Sequence, residues 1–213
     1  MKTEILNNLI EIFIFSLNTI EVMLLKKFFL PDDFIEKYEF IDVEYMNMHN
    51  KKVIISDLDN TLISWDSKKD TKELNRWLKK MRRAGFDIIV VSNNTEERVQ
   101  EFCRQLNLQY VAGAKKPLTL GFKKALRKMN RKPEEAIVLG DQVLTDVFGA
   151  KSLGVMSVLV KPISKTDAFK TRVNRFFEAL IIKNLTRRKA FPKMKKLGYK
   201  LTHKKESSGG YIG

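Results

Sequence analysis

Two carboxylates two positions apart, Asp57 and Asp59, end an apolar run in the stretch Val53–Leu62, VIISDLDNTL. A carboxylate oxygen can attack phosphorus, and a pair of carboxylates followed by Asn60 and Thr61 can hold a hard cation. The D-x-D spacing also occurs in ordinary surface turns, so the chemistry depends on what the rest of the chain brings to it. Three further stretches place polar groups behind apolar runs. Ser92, Asn93 and Asn94 follow IIVV; Lys115 and Lys116 lie in AGAKKP; Asp141 and Asp146 lie in AIVLGDQVLTD. Carboxylates, a hydroxyl, a lysine and further carboxylates, in that order at successive strand ends, are hard to attribute to chance.

The elements that must position these groups are legible in the periodicity. Val53–Ser56 is a continuous, largely β-branched run, as in a parallel strand buried on both faces. Phe86–Val91, Gln109–Val111, Ala136–Leu139 and Val155–Val160 read as further strands. Thr71–Ala84, Glu96–Leu106, Leu118–Met129 and Val143–Leu153 have the 3–4 spacing of helices, and Gly85, Gly113 and Gly154 fall at their boundaries. The alternation predicts an α/β fold, a five-stranded parallel sheet between helices with right-handed crossovers. Ligands of such sheets bind beyond the carboxyl ends of the strands, where the candidate residues lie.

Together the four motifs resemble those of the haloacid-dehalogenase (HAD) superfamily of phosphotransferases. The D-x-D-N-T-L form and the late G-D-x-x-x-x-D form are most similar to its subfamily IIIA phosphatases of the YqeG type, a group similar to the mitochondrial phosphatidylglycerophosphate phosphatases. The resemblance covers residues 25 to 162 and implies a Rossmann-like core and a site. In that site Asp57 is the nucleophile and becomes an aspartyl-phosphate, and Asp59 is the general acid and base. Mg²⁺ is bound by the Asp57 carboxylate, the Asp59 backbone carbonyl and Asp141, with Asp146 orienting Lys116 or a metal-bound water. Ser92 and the Asn93 amide bind phosphoryl oxygens, with Thr61 a further substrate-binding candidate. Lys116, rather than Lys115, neutralises charge, because the lysine of the family precedes a proline, here Pro117. Loop geometry is the alternative role for Asn60, Thr61 and Asn94. Motif spacing leaves no room for a cap domain: only a short flap (63–70), one helix and one strand separate Asp57 from Ser92. An open site suits a phosphate on a large body.

Outside this core (residues 51–162) two extensions are expected. Residues 1–50 begin with an apolar amphipathic helix carrying a narrow polar stripe (Glu4, Asn7, Asn8, Glu11, Asn18, Glu21). It packs on protein or lies in a membrane interface, with Lys26 and Lys27 meeting headgroups. Its longest uncharged run is too short to span a bilayer. Pro31 ends it, and Asp32 or Asp33 is placed to cap a short helical piece reaching Tyr38. Residues 163–213 hold a basic amphipathic helix (166–185) and a tail expected to be mobile. The net charge of +15 is concentrated there: residues 161–205 contain fifteen Lys/Arg and two acids, Asp167 and Glu178. Such an excess calls for an anionic partner, either a phospholipid surface or nucleic acid. The substrate reading is accordingly a membrane phospholipid, with phosphatidylglycerophosphate foremost. A nucleic-acid end, or a non-catalytic RNA- or ribosome-binding role on the same fold, is the alternative. No secretory signal is evident, so a cytoplasmic location, peripheral on the inner face of the membrane, is expected. The one cysteine, Cys103, falls in a predicted helix as a buried hydrophobe, and His49 and His203 read as surface residues.

Overall fold

The computed structural model of the protein describes residues 23–67 and 71–164. The whole of the expected N-terminal polar stripe, the tip of the flap, and the basic helix and tail lie outside the described residues. In chain order the elements are α1 (residues 23–29), β1 (Asp33–Ile35), α2 (Val43–Met48), β2 (Val53–Ser56), α3 (Lys72–Arg83), β3 (Asp87–Val91), α4 (Glu96–Gln105), β4 (Gln109–Val111), α5 (Leu120–Met129), β5 (Ala136–Gly140), a π-helix (Val143–Val147) running into α6 (Phe148–Ser152), and β6 (Met156–Val160). The strands form one wholly parallel sheet in the order β1-β6-β5-β2-β3-β4.

β2 is central, and all four of its residues are buried because helices cover both faces of the sheet. Successive side chains point to opposite faces. Ile54, Ile88 and Val90 therefore enter one core with Leu74, Leu78, Met81 and Phe102. Val53, Ile55, Ile89 and Val138 enter the other with Phe122, Ala125 and Leu126. On the first side α3 buries Leu74, Trp77, Leu78 and Met81 at helical spacing. Its start is set by Thr71, whose hydroxyl accepts the Leu74 N–H at 3.1 Å. Lys80, Arg82 and Arg83 in the last turn suit the negative end of the helix dipole. Trp77 Nε1 donates to the Ile41 carbonyl at 2.7 Å, tying α3 to the segment that precedes α2.

The sheet has six strands rather than the expected five. Residues 33–35 form β1, paired in parallel with β6, where a helical cap had been expected. The reason lies in Asp32. Its N–H donates to the Ser157 carbonyl, its carboxylate accepts from the Ser157 N–H and hydroxyl at 2.8 and 3.0 Å, and Lys151 pairs with it. Asp32 is thus consumed in fastening β1 to β6, and the short helical turn at Tyr38–Phe40 starts without a side-chain cap. The predicted helix Val143–Leu153 is also divided: a widened π turn leads into α6. The described end of α1 packs on this domain. Leu25, Phe29 and Leu30 meet Phe34, Val143, Val147 and Leu159, and Phe29 stacks on Phe148 with ring centroids 4.9 Å apart. Among the described residues no helix is long and apolar enough to cross a membrane.

Candidate active site

The site is assembled by the segments that leave the carboxyl ends of four neighbouring strands. The ladder continues one residue beyond β2, where the Asp57 N–H donates to the Leu139 carbonyl at 2.8 Å. This fixes the backbone that carries the first carboxylate. Beyond β3, the Ser92 N–H donates to the Val111 carbonyl, and the Ser92 carbonyl accepts from Ala114. Asn93 clasps the backbone of Lys116 from both sides: its Oδ1 accepts the Lys116 N–H at 2.6 Å and its Nδ2 donates to the Lys116 carbonyl at 3.1 Å. The loops after β3 and β4 are therefore locked together, and the Asn93 side chain is spent on that lock.

Lys116 is delivered into the interior by this clasp, whereas Lys115 is exposed in a left-handed conformation. The Lys116 ammonium lies 2.5 Å from Asp57 Oδ1 and 2.7 Å from Asp146 Oδ1. Asp146 comes from the π turn after β5. Its second oxygen accepts the Gln142 N–H at 3.2 Å, closing the turn that starts at Asp141. Single π turns inside helical segments often mark functional sites. Asp57, Asp141 and Asp146 are all buried and offer carboxylate oxygens within 4.8 Å of one another.

Burial raises the proton affinity of Asp57 well above the carboxylate range. Lys116 opposes this, while Asp146 and Asp141 add to it. For Lys116, burial works against the charge, but Asp146 and Asp57 outweigh it and the net shift is upward, so the ammonium persists. Three clustered acids, two of them on the one ammonium, leave a buried excess of negative charge. An all-oxygen donor set of that kind suits a divalent cation.

Asp59 does not join this cluster through its carboxylate. Oδ1 accepts from Arg98 Nε at 3.0 Å and Nη2 at 2.5 Å, and Oδ2 accepts from Asn94 Nδ2 at 3.1 Å. Any share of Asp59 in holding a cation falls to its backbone carbonyl. Ser92 is buried, and its Oγ accepts the Asn94 N–H at 3.1 Å. The Thr61 hydroxyl is buried with no hydrogen-bond partner among the described residues, an exception to the rule that buried polar groups are paired. Arg98 was not singled out by the sequence, because a basic residue in an amphipathic helix is unremarkable. Asn94 was assigned only to loop geometry, yet it holds Asp59.

No inserted domain covers the opening among the described residues. Between the Asp57 loop and the approach to α3, the described residues contribute only the flap residues 63–67. Only α4 and β4 separate Ser92 from Lys116.

Comparison with known proteins agrees with this arrangement. The family model for haloacid dehalogenase-like hydrolase matches residues 63–154. The "Probable phosphatase YqeG" of Bacillus subtilis strain 168 is 42% identical over 165 residues, spanning 78% of this chain and 96% of that one. The glyceraldehyde 3-phosphate phosphatase of Pyrococcus furiosus is 41% identical over 63 residues, 30% of this chain and 26% of its own. The structure of CbbY from Rhodobacter sphaeroides with phosphate aligns at 15% identity and a TM-score of 0.43, covering 56% of this chain and 90% of that one. Similarity to a phosphatase over 78% of this chain, on a sheet whose loops bring Asp57, Lys116, Asp141 and Asp146 together, places this chain among the haloacid dehalogenase-like hydrolases, as a phosphatase of the YqeG type.

Proposed function

We propose that the protein is a Mg²⁺-dependent phosphomonoesterase that works through an aspartyl-phosphate on Asp57 and takes its phosphate from a membrane phospholipid, phosphatidylglycerophosphate foremost. The observation that carries the chemistry is the Lys116 ammonium shared between Asp57 and Asp146. An Asp57 oxygen attacks phosphorus, and the bond from phosphorus to the ester oxygen breaks. The Asp59 carboxyl gives its proton to the departing oxygen. Water then attacks the phosphorus of the aspartyl ester, Asp59 takes back a proton, and inorganic phosphate leaves with Asp57 restored. Lys116 offsets negative charge shared by Asp57 and the phosphoryl oxygens, and Asp146 holds the ammonium in place. Ser92 and the backbone N–H of Asn93 bind phosphoryl oxygens, with the Asn93 side chain anchoring Lys116. Asp57, Asp141 and the Asp59 carbonyl would hold Mg²⁺, which supplies positive charge where two anions must meet.

The opening, uncapped among the described residues, supports a phosphate borne by a large body. The basic residues beyond 161 and the apolar start of the chain suit an anionic bilayer as that body. The test is phosphate release by the full-length protein, with Mg²⁺, from vesicles containing phosphatidylglycerophosphate, beside a soluble aryl phosphate and a 3′-phosphorylated oligonucleotide. Preferential release from the vesicles is expected. Hydrolysis of the soluble ester alone removes the lipid substrate, and preference for the oligonucleotide replaces it with a nucleic-acid end.

A further inference from the structure

Arg98 has no part in the mechanism above, yet it binds the residue that mechanism needs as acid and base. Its Nε and Nη2 both reach Asp59 Oδ1, and Nη2 also lies 2.6 Å from the Trp65 carbonyl and 3.2 Å from that of Ser67. One guanidinium therefore spans the Asp59 carboxylate and the flap. Its position in α4 is otherwise unfavourable. Thr95 precedes the helix and Glu96 and Glu97 open it, so Arg98 brings a cation into the first turn, where the helix dipole favours anions. The contact with Asp59 accounts for a charge that the helix itself disfavours.

The two oxygens of Asp59 are not equivalent. Oδ1 takes two N–H groups from a side chain that is always charged and holds them in a fixed fork. Oδ2 takes one amide hydrogen from Asn94, whose own Oδ1 accepts the Thr95 N–H at 2.8 Å; that bond determines which end of the amide faces Asp59. Oδ1, already receiving two N–H groups, has no room for a further hydrogen, and Oδ2 is the oxygen left to exchange a proton.

We propose that Arg98 is the positioning residue for the acid–base carboxyl: it anchors Asp59 Oδ1 to the flap and leaves Oδ2 as the oxygen that gives and takes the proton. This rests on the assignment of Asp59 as acid and base. As the ester bond breaks, the Oδ2 proton passes to the departing oxygen in place of the Asn94 contact. In the second half-reaction the same oxygen accepts a proton from water. Arg98 itself transfers nothing.

Leaving groups test this directly. An alkoxide needs the proton as it departs, whereas a nitrophenolate scarcely does, and kcat/KM reports the step in which the leaving group is lost. The full-length protein with Mg²⁺ is assayed on p-nitrophenyl phosphate and glycerol phosphate, as wild type, Asp59→Asn, Arg98→Ala and Arg98→Lys. Inhibition by inorganic phosphate gauges the phosphate site.

The expected result is that Arg98→Ala lowers kcat/KM for the alkyl ester at least tenfold more than for the aryl ester. Arg98→Lys should recover part of that difference, with phosphate inhibition within twofold of wild type throughout. If Asp59→Asn separates the two esters and Arg98→Ala lowers both equally, or neither, Arg98 has only a structural role and the proposal falls alone. If Asp59→Asn itself fails to separate them, Asp59 is not the acid and the Arg98 role falls with it.

Discussion

Asp146 packs into the space that a side chain at residue 140 would need: a Cβ built on Gly140 would lie 2.2 Å from Asp146 Cγ. The last residue of β5 must therefore be glycine for Asp146 to reach Lys116. Gly140→Ala should push Asp146 aside, lower phosphatase activity at least about tenfold, and cost about 1–3 kcal/mol as an overpacked site does. In an Asp146→Ala background the same change should cost little further activity, because the two act through one contact. Steady-state kinetics and chemical denaturation of the four proteins check this.

Lys116 is the cation of a buried, largely acidic cluster, so its loss and its role in turnover separate cleanly. Lys116→Ala should destabilise the metal-free protein by about 3–5 kcal/mol, the usual cost of breaking a buried ion pair. It should also reduce kcat by about 10²–10³, as loss of a donor to a developing anion does. Added divalent cation should restore part of the stability and none of the rate. Recovery of both would mean that Lys116 is needed only for folding.

The raised proton affinity of Asp57 has a definite sign in a stability profile. The folded state holds the Asp57 proton at pH values where the unfolded chain, titrating near about 3.9, has lost it. This contribution is fully present below the unfolded value and is lost as pH rises through the folded one. Asp57→Asn should flatten that decline and raise the metal-free melting temperature at neutral pH by several degrees, at about 2–4 °C per kcal/mol for a chain of this size. It should abolish turnover at the same time. Equal pH slopes for the two proteins would show that ionised Asp57 costs the fold nothing.

Divalent cation should stabilise the wild type. At a hundredfold excess over Kd the gain is about 2.7 kcal/mol, readable as a melting shift of about 5–10 °C. A chelator should remove both the shift and the activity. Asp141→Asn should weaken the shift, and its persistence unchanged would exclude Asp141 as a ligand.

Cys103 is wholly buried in α4, and burial pushes its thiol up to about 12. The native protein should resist thiol-directed labelling at pH 8, and one thiol should react on unfolding. Mass spectrometry before and after denaturant reads the result.

The central strands and the four polar loops were legible because each was written in contiguous residues. An apolar run specifies a strand buried on both faces, and the residues that follow it inherit a place at the sheet's end. What escaped was written in contacts across the chain. The three residues of β1 are too few to show a period, and their strand depends on Asp32 meeting Ser157, 125 positions away. Arg98 sits among ordinary helix residues and becomes distinctive only when Asp59, 39 positions earlier, is brought beside it. The π turn arises where Asp146 must fold back on Gln142 and reach Lys116 together, a demand that side-chain periodicity does not record.

The central ammonium joins two carboxylates supplied 59 residues before it and 30 residues after it. On a ribosome, a growing polypeptide exposes Asp57 long before Lys116 and Asp146 have been synthesised. The charge cluster can therefore close only after residue 146 has been added, late in translation.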